Sequence, residues 1–116
     1  MGAELFQTIG HGEIVDDAYQ EVVARALQEN GDQGYTGSIA EKEGFLEYQL
    51  PDSDNTDVMK VYKALVDSYD NIVPLAQLVG QPLAREMADV FDRKWGPAIT
   101  LKIKEGEWLF CGWASC

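Results

Sequence analysis

Ile99-Thr100-Leu101-Lys102-Ile103-Lys104-Glu105-Gly106-Glu107-Trp108-Leu109-Phe110-Cys111-Gly112-Trp113-Ala114 is the stretch on which the fold turns. Ile99, Leu101 and Ile103 alternate with Thr100, Lys102 and Lys104, the period of two that marks a strand with one buried face. Lys104-Glu105-Gly106 then makes a turn, and Glu107 to Ala114 returns as the second arm of a hairpin. In the returning arm Trp108 and Phe110 fall on one side, and Leu109, Cys111 and Trp113 on the other. Both sides are apolar. Either the strand is central and covered twice, or one face leaves Trp108 or Trp113 available as an aromatic contact with a partner.

Upstream, Pro82 is placed as the first residue of a helix over 82 to 94, with Leu83, Met87, Val90 and Phe91 as its buried stripe and Gly96-Pro97 as its stop. Val58, Val61, Tyr62, Leu65, Val66 and Tyr69 repeat at helical spacing over 57 to 70, after a connector, 51 to 57, rich in capping residues. Between these helices Pro74 and Gly80 punctuate a stretch expected to hold one irregular helical turn. A third helix is expected over 13 to 29 from Val15, Tyr19, Val22, Val23, Ala26 and Leu27, stopped by Asn30-Gly31. Leu5 to Ile9 reads as a short first strand closed by a turn at Gly10-His11-Gly12.

Tyr35 to Glu41 and Phe45 to Leu50 read as a further hairpin turning at Lys42-Glu43-Gly44. The tripeptide Lys-Glu-Gly recurs at 104 to 106, which raises an αββ duplication as an option. The expected fold is one compact α+β domain over residues 1 to 116. It has a four- or five-stranded, mainly antiparallel sheet with about three helices packed on one face.

The chain has 116 residues, a net charge of −11 and 46% hydrophobic residues, in the size range of a single domain with its own core. Residues 1 to 57 hold thirteen Asp and Glu against Arg25 and Lys42, whereas residues 58 to 116 hold seven acids against seven Lys and Arg. The net charge therefore belongs to the first half. A field of that sign repels nucleic acid and membrane phosphates and draws the protein toward basic surfaces, although acidity also serves solubility alone. No apolar run is long enough for a bilayer span, and residues 1 to 13 lack the zones of a signal peptide, so a cytoplasmic protein is expected.

Chemistry-bearing constellations are scarce. His11 is the single histidine, which excludes a two-histidine metal site or a His dyad. Gly10-His11-Gly12 precedes a helix but lacks the remaining residues of a dinucleotide fingerprint or P-loop, and the acidic turn after it would repel phosphate. Asp52, Asp54 and Asp57 open like a calcium loop, but Asp57 stands where the glycine is required and Lys63 at the twelfth position. Cys111 and Cys116 read as reduced thiols. No enzymatic activity, metal or cofactor is expected.

Three stretches resemble a loose group of small hypothetical proteins of phages and bacterial mobile elements: 34 to 42, Gly34 through Lys42; 94 to 98, Lys94 through Ala98; and 108 to 116, Trp108 through Cys116. The resemblance covers about a quarter of the chain. It implies a phage-like setting and no activity.

The expected function is a small acidic non-enzymatic binding protein, a phage-type inhibitor. It would occupy a basic nucleic-acid-binding surface of a host or defence protein, such as a nuclease or CRISPR effector, by mimicking nucleic acid. Candidate contacts are Asp16, Asp17, Glu21, Glu29, Glu41, Glu43 and Glu47, with Trp108 and Trp113 as secondary aromatic contacts. An acidic immunity or antitoxin protein that neutralises a basic toxin is the alternative. A small ligand-binding domain or enzyme, with its pocket between helices and sheet, is the third reading.

Overall fold

The computed structural model describes residues 3–30, 38–50, 57–93 and 96–115. It is an α+β fold, with strands β1 (Ala3–His11), β2 (Phe45–Tyr48), β3 (Ala98–Lys104) and β4 (Glu107–Ser115) in one sheet. The helices are α1 (Val15–Asn30), α2 (Val58–Asp67), α3 (Val73–Val79) and α4 (Gln81–Phe91). The strand order is β1-β4-β3-β2. β1 and β3 both run antiparallel to β4, and β2 runs parallel to β3. No helix among the described residues is long and apolar enough to cross a membrane.

The 99 to 114 hairpin forms as its alternation requires, with Leu101 opposite Leu109 and Thr100 opposite Phe110. Gly106 sits at φ 79°, a conformation that costs a side-chain-bearing residue and suits glycine. Because β4 is central, both of its faces are covered. Leu109 and Cys111 pack with Ile99 and Leu101 against Val61, Leu65, Leu75, Met87 and Phe91 of the three later helices. Trp108 and Phe110 pack on the other side with Ala18, Val22 and Ala26 of α1 and with Ile39. Phe110, Leu109, Ile99 and Leu101 are fully buried, and each such side chain contributes about 1.5–3 kcal/mol of transfer free energy.

Three helices lie on one sheet face, but they are α2, α3 and α4; α1 takes the opposite face by itself. It can approach closely because β1 offers Gly10, where a Cβ would stand 2.5 Å from the Ala18 carbonyl oxygen. Tyr19 of α1 reaches across the sheet to Phe45 and Phe110, with ring centroids 4.7 and 5.8 Å away, within the range of favourable aromatic pairs.

The hairpin expected around Lys42-Glu43-Gly44 does not form. Residues 35 to 37 lie outside the described residues, and Ile39–Glu41 make a 3-10 turn in which the Ser38 hydroxyl accepts from the Ala40 N–H at 3.3 Å. Ile39, only 2% exposed, fills the space under α1, which a solvent-facing strand could not do. β2 then pairs with the free edge of β3, Phe45 opposite Ala98 and Tyr48 opposite Leu101. With only one of the two Lys-Glu-Gly tripeptides at a hairpin, the architecture does not repeat as αββ twice. Smaller differences follow from local chemistry. β1 extends through Gly10 and His11, so the turn begins at Gly12. Asp57 caps α2 by accepting from the Met59 N–H at 2.9 Å, while α3, with Pro74 in its first turn, is a full seven-residue helix rather than one irregular turn.

Candidate protein-binding surface

α1 is the most acidic element among the described residues: within Val15–Asn30 four carboxylates stand against Arg25. Ala18, Val22 and Ala26, four apart, face the sheet, and this spacing turns Asp16 and Asp17 into solvent and Glu21 to the flank, while Glu29 continues the inward stripe and is exposed near the helix end. Asp16 and Asp17 occupy the first turn, where the helix dipole favours them. Arg25 is turned back onto the sheet edge: its guanidinium donates to the Thr8 hydroxyl at 2.8 Å and to the Ile9 carbonyl at 2.9 Å, and lies 3.7 Å from Glu21. The helix's single cation is thus engaged with β1 and Glu21, and among the described residues Asp16 and Asp17 have no ion-pair partner.

Glu21 has a structural task as well. Its carboxylate accepts from the His11 backbone N–H at 3.3 Å and lies 3.4 Å from His11 Nδ1, while His11 Nε2 lies 3.4 Å from Glu107. His11 therefore bridges α1 and the start of β4, in place of the free turn position its flanking glycines suggested. Glu29 lines a shallow 180 Å³ cavity with Phe6, Thr8 and Ile39.

The remaining expected contacts separate. Glu41 ends the 3-10 turn, and Glu43 is exposed beside it. Glu47, by strand alternation, shares the α1 side of β2 with Phe45, and it accepts the Trp108 indole N–H at 3.0 Å. That bond corrects the reading of Trp108 as a contact: at 5% exposure it belongs to the core under α1, with its one polar atom satisfied from within. Trp113 is half-buried on the opposite face. The α1 side also ends in cations at the hairpin, but Lys102 is held by Glu105 at 2.8 Å and lies 5.9 Å above the Trp108 ring.

One residue with unusual chemistry passed unnoticed in the sequence because it sits in a turn-like Lys-Glu-Gly. Lys42 is buried, its ammonium donating to the Arg93 carbonyl at 2.7 Å and the Trp113 carbonyl at 2.8 Å. Burial lowers its pKa from 10.5 to about 8. It ties the 3-10 turn to the residues that follow α4 and to the end of β4. Nearby Cys111 is a buried free thiol pushed up to about 12 by burial, so it stays protonated and non-nucleophilic near neutral pH. Among the described residues no three His, Cys, Asp or Glu are grouped to hold a metal ion.

No family model matches the chain, no curated protein matches it, and no solved structure does. Its function has to be argued from the arrangement of its own residues.

Proposed function

We propose that the protein is a non-enzymatic binding protein that uses the outer face of α1 to occupy a basic, nucleic-acid-binding surface of another protein. In this reading it is an inhibitor of the phage anti-defence type, acting in a host cytoplasm. The observation that supports it is the inward engagement of Arg25 by Thr8 and Ile9, which leaves Asp16 and Asp17 without a cation partner among the described residues, while Glu29, exposed near the end of the same helix, adds to the negative field. Carboxylates on a rigid helix imitate a line of phosphates and compete for the same Lys and Arg side chains. Association governed by such a field is fast and strongly salt-dependent. Glu21 and Glu47 contribute charge to this face while also holding His11 and Trp108 in place.

The direct test is competition against a panel of basic nucleases and CRISPR effectors for their own nucleic acid, with the protein as competitor at low and high salt. Displacement that weakens steeply with salt and is abolished by Asp16→Lys/Asp17→Lys/Glu29→Lys supports the reading. Equal displacement by the wild type and the triple variant would sink it.

A further inference from the structure

At the end of the sheet where β1 begins, on the face opposite α1, a groove of 410 Å³ lies between the C-terminal ends of α2 and α4. Among the described residues Ala3, Val66, Tyr69, Asp70, Asp92 and Trp113 line it. Tyr69 is 83% exposed and Trp113 half-buried, so aromatic surface borders open space. The groove's two ionisable side chains of fixed sign are both acidic. α2 and α4 both end here without a basic residue in the last turn, so each helix end adds partial negative charge. Of the cations among the described residues, Arg93 pairs with Asp89, and the Lys42 ammonium sits on two carbonyls. Burial, and then the proximity of Asp89, hold the Asp92 carboxyl above the usual carboxylate range.

We propose that this groove receives an arginine side chain of a basic protein partner, its guanidinium stacked on Trp113 and Tyr69 and hydrogen-bonded by Asp70 and Asp92. The charge complementarity selects a cation. The pairing of flat rings with carboxylates selects arginine over lysine, because a planar guanidinium stacks and bonds at once, whereas an ammonium is a compact, strongly hydrated point charge. The groove goes beyond the α1 reading and does not require that α1 bind anything.

The test is a nuclear magnetic resonance titration of the full chain with a hexa-arginine peptide, following the Trp113 indole N–H, identified by its loss in Trp113→Phe. A saturable shift at Trp113 and Tyr69 is expected, with hexa-lysine about fivefold weaker and hexa-citrulline without effect. Asp70→Asn/Asp92→Asn is expected to weaken binding at Trp113 about tenfold. Asp16→Asn/Asp17→Asn/Glu29→Gln should leave it within about twofold, since those charges sit on the helix that covers the opposite face of the sheet. If the double variant does not fold, Tyr69→Ser, at an exposed side chain, replaces it, with an expected loss of about fivefold. An unmoved Trp113 at saturating peptide, equal affinity for arginine and lysine peptides, or loss at Trp113 only in the α1 variant overturns the proposal. Absence of any peptide-induced shift on α1 of the wild type, with a saturable shift at Trp113, would count against the α1 reading alone.

Discussion

One helix covers one face of the sheet and three cover the other, and the two faces are held by different means. Under α2–α4 the packing is aliphatic and thick: Leu65, Leu75, Met87, Ile99, Leu101 and Leu109 form one continuous cluster. Under α1 it is thin and depends on a glycine contact at Gly10 and on the Tyr19, Phe45 and Phe110 rings, with Phe45 and Phe110 edge to face at 6.0 Å. The α1 face compensates with polar ties along its margin, from Arg25 to β1, Glu21 to His11 and Glu47 to Trp108. A helix seated closely on β1 through the small residues Ala18, Val22 and Ala26 leaves its outer side for charge. The three-helix face shares its charges between signs.

The largest effect that could break this comparison is in the cores themselves. Phe110→Ala is expected to cost about 3–5 kcal/mol and Leu109→Ala about 2–5 kcal/mol in urea unfolding. Hydrogen exchange separates them: Phe110→Ala should accelerate exchange in α1 while α2 and α4 stay protected, and Leu109→Ala should do the reverse. Uniform acceleration in both variants would show that the two faces open as one unit.

Lys42 gives the next effect, and it depends on pH. Its folded pKa of about 8 lies below the ordinary lysine value of 10.5, so the folded state binds this proton less tightly than the unfolded chain. The resulting penalty is fully present below pH 8 and is relieved as pH rises above it. Lys42 should therefore add about 1.5 kcal/mol between pH 8 and 9.5, opposed by Cys111, whose thiol burial raises from 9.0 to about 12 and whose proton the unfolded chain gives up in the same window, so that the net gain stays below about 1 kcal/mol. Lys42→Met should turn that gain into a loss as pH rises, because the Cys111 contribution is then unopposed, whatever its effect on absolute stability; an unchanged slope in the variant would assign the pH dependence elsewhere.

Glu47→Gln tests the margin of the α1 face. Exchanging a charged acceptor for a neutral one at the Trp108 indole should cost about 1 kcal/mol and move the indole N–H resonance. The smallest effect is the most informative about surface charge. Asp16→Asn/Asp17→Asn should change unfolding stability by less than about 1 kcal/mol, because exposed first-turn carboxylates contribute only a weak dipole interaction. A larger loss would mean that these carboxylates hold the helix down rather than face a partner.

Sequence alone determined the elements whose signal is local. The hairpin at Gly106 follows from strict alternation and a turn glycine. The stripes of α1, α2 and α4 follow from helical spacing, and the acidic outer side of α1 from the residues left over between its apolar positions. Those features need only the period of the chain's own geometry. What only the tertiary structure decided is everything that depends on a distant partner. The segment from 38 to 48 has turn chemistry and apolar residues suited to a hairpin. Yet Ile39 gains more by filling the space beneath α1, and β2 by completing the open edge of β3, a pairing across some fifty residues of chain that no local pattern announces. In the same way both apolar sides of β4 allowed either a central strand or an exposed aromatic face, until α1 on one side and α2–α4 on the other buried Trp108 and left Trp113 at a groove. Lys42 looks like a turn lysine in sequence. It becomes a buried cation because two carbonyls, from residues 93 and 113, converge where its ammonium ends.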